Sequence, residues 1–133
     1  MIRAVLTLSL VLAPLSTPLV ARSPGDIAEV RNGLLAVAVG DAIQENCGSI
    51  NQRMIRVLSM RNRLLSAAKA QGFSNEEIEA FVDDAVARAN LEAEAQRYLA
   101  QEGVLSGDEA SYCALGAREI AAKTTVGRLL HAK

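Results

Sequence analysis

Apolar positions in this chain recur every three or four residues and almost never alternate, the period of helices rather than strands. From Asp26 to Cys47, the residues Ile27, Val30, Leu34, Val37 and Ala38 fall on one stripe. Asp26 and Glu29 stand where a helix N-terminus favours anions. Gly33 and Gly40 lie inside that stretch, and each costs up to about 1 kcal/mol against alanine. Close approach of a second helix would explain them. Gly48 is the expected left-handed cap. A second helix is expected from Ser49, with Gln52 at capping-box spacing. Ile50, Met54, Val57, Leu58, Leu64, Leu65 and Ala68 make its buried face, and Gly72 stops it. So short a link predicts an antiparallel hairpin of the first two helices.

The clearest local signal is Phe73-Ser74-Asn75-Glu76-Glu77-Ile78. Ser74 and Glu77 form a capping box, and Phe73 can staple onto Ile78. The third helix turns Ile78, Phe81 and Val82 inward. Asp83-Asp84 either caps a new helix or sits within a long bent one; a break is expected. The fourth helix runs to about Glu102 on Val86, Leu91, Ala95, Tyr98 and Leu99. Gly103 ends it, and Val104-Leu105 can fold back on its last turn. Ser106 with Glu109 is a further candidate capping box. A fifth helix then carries Tyr112, Cys113, Leu115, Gly116 and Ile120, and Thr124-Thr125 kinks the chain before a short tail with Val126, Leu129 and Leu130. The fold expected is all-α, a single-domain bundle of about five helices. Disorder is expected only at Arg22–Gly25 and at the last two residues.

The front of the chain breaks this pattern. Met1-Ile2-Arg3 is positive, Ala4 to Ala13 is apolar but for Thr7 and Ser9, and Pro14 and Pro18 precede Leu19-Val20-Ala21. That order is a secretory signal peptide, 1–21, cut after Ala21. The helical domain is then 22–133. No other apolar run is long enough to span a bilayer. The chain therefore reads as periplasmic, with no transmembrane helix in its mature part.

Charge narrows the partners. There are 15 acidic side chains against 14 basic ones, and one of the latter, Arg3, lies in the leader. A slightly acidic surface argues against nucleic acid as a partner. Tryptophan is absent, and two tyrosines and two phenylalanines offer little for base stacking. The two cysteines, Cys47 and Cys113, point to one disulfide in an oxidising compartment. Two free buried thiols, or one thiol serving a partner, are the alternatives. Closing a loop of about 66 residues would stabilise the fold by about 4 kcal/mol in chain-entropy terms.

Signals for catalysis are poor. His131 lies near the chain end and reads as a cation at a helix C-terminus. No phosphate loop, nucleophile elbow, dinucleotide loop or metal-ligand cluster is present. Neither a catalytic residue, nor a cofactor, nor a metal is expected. The acidic pairs Glu76-Glu77 and Asp83-Asp84 are sequence neighbours, which point to different sides of a helix.

Charge is nevertheless segregated. Ile50 to Gln71 holds Arg53, Arg56, Arg61, Arg63 and Lys69 with no acid, whereas Ser74 to Glu102 is strongly acidic. Arg53, Arg56 and Arg63 fall within about 80° around a helix. They either complement the acidic helices internally or form a docking strip for an acidic protein or an anionic membrane surface. Three charges also interrupt apolar stripes: Asp41, Arg61 and Glu119. A buried charge needs a partner. Arg61 is therefore expected to pair with Asp41, with Glu119 close by, either as an internal ion pair fixing helix register or as a polar pocket or acid-sensitive latch.

Several short pieces carry a resemblance. They are Ala38-Val39-Gly40-Asp41, Cys47 with Ser49-Ile50, Gly72-Phe73-Ser74, and Tyr98-Leu99 with Gly103. Ser111-Tyr112-Cys113 with Gly116, Glu119-Ile120, and Gly127 with Leu129-Leu130 complete the set. Together the chain resembles an uncharacterised family of small exported proteins from alphaproteobacteria, one of the domains of unknown function. Arg61 has no counterpart in the pattern. Members of that family are sometimes encoded among genes for respiratory complex I. The resemblance thus implies an accessory role with peripheral association at the inner membrane, through an unidentified protein partner. The expectation is a non-enzymatic interaction module. The alternative is a periplasmic chaperone of acid-chaperone type or an inhibitor of immunity-protein type.

Overall fold

A computed structural model describes residues 21–133. The signal segment expected at 1–21 lies outside the described residues except for its last position. The described part begins with a turn that the sequence pattern did not suggest. Ser23 N–H donates to Asp26 (2.7 Å) and its hydroxyl accepts from Gly25 N–H (3.0 Å). This box closes a single 3-10 turn at Pro24–Asp26, with Pro24 buried. Proline pre-sets the backbone angle such a turn needs, so Arg22–Gly25 is ordered rather than disordered.

Helix α1 spans Ala28–Asn46 and buries Val30, Gly33, Ala36, Val39, Gly40 and Ile43. It is the central rod, meeting most other elements along its length. Cys47, in an extended conformation, ends it. Gly48 is not the left-handed cap expected: among the described glycines only Gly72, Gly103 and Gly107 have positive φ.

No helix starts at Ser49. Strand β1, Ile50–Gln52, comes first, and helix α2 occupies Met54–Ala70. β1 pairs antiparallel with β2, Leu130–Ala132, setting Ile50 opposite Ala132 and Gln52 opposite Leu130. The expected Ser49–Gln52 box loses to this pairing for two reasons. Ile50 is buried against Gly116, and the Gln52 N–H donates to the Gln44 side chain at 2.6 Å. The chain end is therefore tied down, with Lys133 N–H donating to the Ser49 carbonyl (2.9 Å). His131 stands opposite Asn51 in the sheet, directly after the C-cap of the last helix and so near a helix C-terminus.

The hairpin of α1 and α2 does form, with the N-terminal part of α1 beside the C-terminal part of α2. A Cβ on Gly33 would lie 2.5 Å from Leu64 Cδ2, so this glycine permits the close approach. Helix α3, Asn75–Asp83, carries the full Ser74–Glu77 capping box. The break expected at Asp83-Asp84 is real: Asp84 accepts from Ala87 N–H (2.6 Å) and caps α4, Ala85–Gln101. Gly103 is left-handed, and Val104 folds back with its N–H on the Leu99 carbonyl (2.9 Å).

Helix α5 is Glu109–Ala122. Ser106 does not cap it. Glu109 is drawn away instead, accepting from Gly48 N–H across the fold (3.0 Å), while the Ser111 hydroxyl closes the loop on the Asp108 carbonyl (2.8 Å). Thr124 then caps the short α6, Thr125–Leu129. Among the described residues the architecture is an all-α domain of six α-helices with a two-stranded clip. Its main core gathers Val39, Ile43, Leu99, Leu115 and Leu130, and a smaller cluster of Val30, Ala68 and Ile78 sits under α2 and α3.

Candidate functional site

Cys47 and Cys113 are joined in a disulfide, with their Cα atoms 5.2 Å apart. The bond ties the end of α1 to the first turns of α5. The Ser49 hydroxyl lies 3.3 Å from the Cys47 sulfur and 3.7 Å from that of Cys113, so the bridge has a polar neighbour at the start of the clip.

The three charges expected to cluster do not meet. Glu119 alone is buried, at 5% exposure. Its carboxylate accepts from the Tyr98 hydroxyl (2.6 Å) on α4 and from the Thr124 hydroxyl at the α6 cap. Among the described residues no cation lies within 4.0 Å of it. Two neutral donors therefore take the place of the expected guanidinium. The tail also packs closely here: a Cβ on Gly127 would overlap the Glu119 backbone carbonyl. Burial and the neighbouring carboxylate push the Tyr98 phenol above its ordinary range. Tyr98 and Thr124 were invisible as partners in the sequence. The only available sign was an acid on an apolar stripe.

Asp41 and Arg61 are both solvent-exposed. Asp41 lies on the outer side of α1. Partial desolvation and the Glu45 charge raise its carboxyl above the usual range, against a hydrogen bond from Gln52 that lowers it. Arg61 misses the core because α2 is rotated from its expected setting. The helix rests on Val57, Met60, Leu64 and Ala68. At 3.6 residues per turn the midpoint of Leu64 and Ala68 lies about 80° from that of Met54 and Leu58. β1 fixes the start of the helix, and with it this rotation.

The consequence is an uncovered stripe. Met54 is 61% exposed, Ile55 81% and Leu58 50%, with Arg61 among them. The docking strip expected at Arg53, Arg56 and Arg63 is divided by function. Arg53 Nε donates to the Leu130 carbonyl (3.0 Å) and helps fasten β2. Arg63 pairs with Glu29 of α1 at 2.6 Å. Arg56 lines a cleft of about 390 Å³ between α2 and α6, together with Arg63 and Arg128. α2 meets α3 near their shared turn and does not pack along α4, so the acidic helices do not neutralise it.

Among the described residues no three His, Cys, Asp or Glu side chains gather as a metal site. No helix among them is long and apolar enough to cross a membrane.

A family model described as "Family of unknown function (DUF5333)" matches residues 24–131, from the first 3-10 turn to the last strand. The chain belongs to this family. No curated protein and no solved structure matches. Many pieces that carried the resemblance prove to be framework. Gly40 faces the Gln52 amide, and Gly116 faces Ile43 and Ile50. Tyr98, Glu119 and Gly127 belong to the buried polar knot beneath the tail.

Proposed function

We propose that the chain is a non-enzymatic periplasmic protein that acts by docking, as an accessory module at the inner membrane. The supporting observation is the α2 stripe. Three large apolar side chains, Met54, Ile55 and Leu58, stand open to solvent side by side on this helix. Contiguous exposed apolar surface on a small domain marks an interaction site. The partner that fits is a protein face with apolar side chains around a carboxylate, which would meet Arg61. The Cys47–Cys113 disulfide supports an oxidising compartment. The gene context of the resembling family makes respiratory complex I the first assembly to test.

The test uses Ile55→Asp and Leu58→Asp, whose side chains are largely outside the core. Both variants should melt within a few degrees of the parent and lose sedimentation with washed inner-membrane vesicles by at least about tenfold. Undiminished sedimentation would remove α2 as the docking face. The chaperone alternative is separated from docking by the same two variants. Suppression of client aggregation at low pH alone, unchanged by the α2 variants, would support it instead.

A further inference from the structure

We infer that the cleft between the N-terminal turn, α3 and α4 binds one anionic single-chain amphiphile, an acyl tail ending in a carboxylate or a phosphate. The cleft encloses about 790 Å³, within the range of small-molecule sites. Leu34, Phe73, Phe81 and Leu91 line it, with Val82 and Val86 at its lip, 56% and 67% exposed. An acyl tail is the chemistry such a lining takes, since burying apolar surface is the main gain on offer.

The head group follows from the charges at the edge. Arg22, Arg31 and Arg88 all line the cleft, and among the described residues none has a carboxylate within 4.0 Å. The same wall holds as many carboxylates, Glu77, Asp84 and Glu94, but two of them are turned toward backbone donors. Glu77 accepts from Ser74 N–H (2.7 Å) and Asp84 from Ala87 N–H (2.6 Å), both as helix caps; only Glu94 is without such a role. The Arg22 guanidinium lies over the Phe73 ring, 5.7 Å from its centroid, which sets a cation directly above the apolar lining. Guanidinium forks suit planar carboxylates and phosphates. The site is separate from the α2 stripe and stands or falls independently of it.

Calorimetric titration of the purified protein with monomeric dodecanoate and dodecyl phosphate tests this, the two arms separating carboxylate from phosphate heads. One saturable site is expected below the micelle concentration, with Kd tightening about three- to fourfold per added methylene between decanoate and dodecanoate. Dodecanol should bind at least about tenfold more weakly, and dodecyltrimethylammonium more weakly still. Arg31→Gln with Arg88→Gln should weaken dodecanoate about tenfold and leave dodecanol unchanged. Val86→Asp should abolish binding with the melting temperature intact. Amide resonances of Leu34 and Leu91 should shift. Equal binding of anionic and cationic amphiphiles would overturn the inference. So would non-saturable uptake, binding to anionic vesicles but to neither monomer, or shifts confined to α2.

Discussion

The buried carboxylate of Glu119 makes a quantitative claim. With 5% exposure and, among the described residues, no cation within 4.0 Å, its carboxylate rests on the hydroxyls of Tyr98 and Thr124. Tyr98→Phe removes one donor and leaves the ring in place, so almost no cavity is created. Losing a hydrogen bond to a charged group costs about 1.5–3 kcal/mol. In a domain of this size that lowers the melting temperature by about 6–12 °C. The double mutant with Glu119→Gln should show a coupling of about 1 kcal/mol, because the two sites share one bond. The pH dependence has a definite sign. The phenol is raised above its ordinary 10.0, so folding favours its neutral form. That contribution is complete below about pH 10 and is lost as pH rises further. The gap between parent and Tyr98→Phe should therefore narrow in alkali. Denaturant unfolding and phenolate absorbance report both effects. A Tyr98→Phe change below about 0.5 kcal/mol, or ordinary ionisation of the Tyr98 phenol in the folded protein, would refute the account of this knot.

Reducing the Cys47–Cys113 bond should lower stability by about 4 kcal/mol; intact mass of protein from native envelopes should show it oxidised and residues 1–21 removed. Among glycines, Gly127→Ala should be the most damaging, at more than about 2 kcal/mol, because its Cβ meets backbone. Gly33→Ala should stay below about 1 kcal/mol, since the obstacle is the flexible end of Leu64 and alanine favours helix; thermal melts rank the two. Asp41→Asn should raise stability near neutral pH by a few tenths of a kcal/mol, given solvent screening. Its raised carboxyl favours the protonated fold, so the parent loses stability as pH rises above the ordinary 3.8; the gain should vanish near pH 3 in urea melts.

Local signals were readable wherever the chain near them decided the outcome. Ser74 with Glu77, the break at Asp84 and the turns at Gly72 and Gly103 all depend on residues within a few positions. Signals failed where a distant partner competed. Ser49 and Gln52 have capping spacing, but β2, from the far end of the chain, takes Ile50–Gln52 as a strand. Ser106 lost Glu109 to Gly48 for the same reason. The rotation of α2 is the most consequential case. Its expected face, from Met54 to Ala68, is a wide arc, and periodicity cannot say which side of it is buried, the Met54–Leu58 side or the Val57–Leu64–Ala68 side. The clip chooses the second and leaves Arg61 outside. Glu119 was correctly marked as anomalous, but its partners are hydroxyl groups, which no charge pattern reveals.

Photo-cross-linking in living cells tests the docking claim most directly. A photoreactive residue at position 55, on the α2 stripe, should give one discrete adduct with an inner-membrane protein. The same probe at position 96 of α4, also exposed, should give none. Adducts of equal yield from both positions, or none from position 55, would contradict the assignment of α2 as the surface through which this domain works.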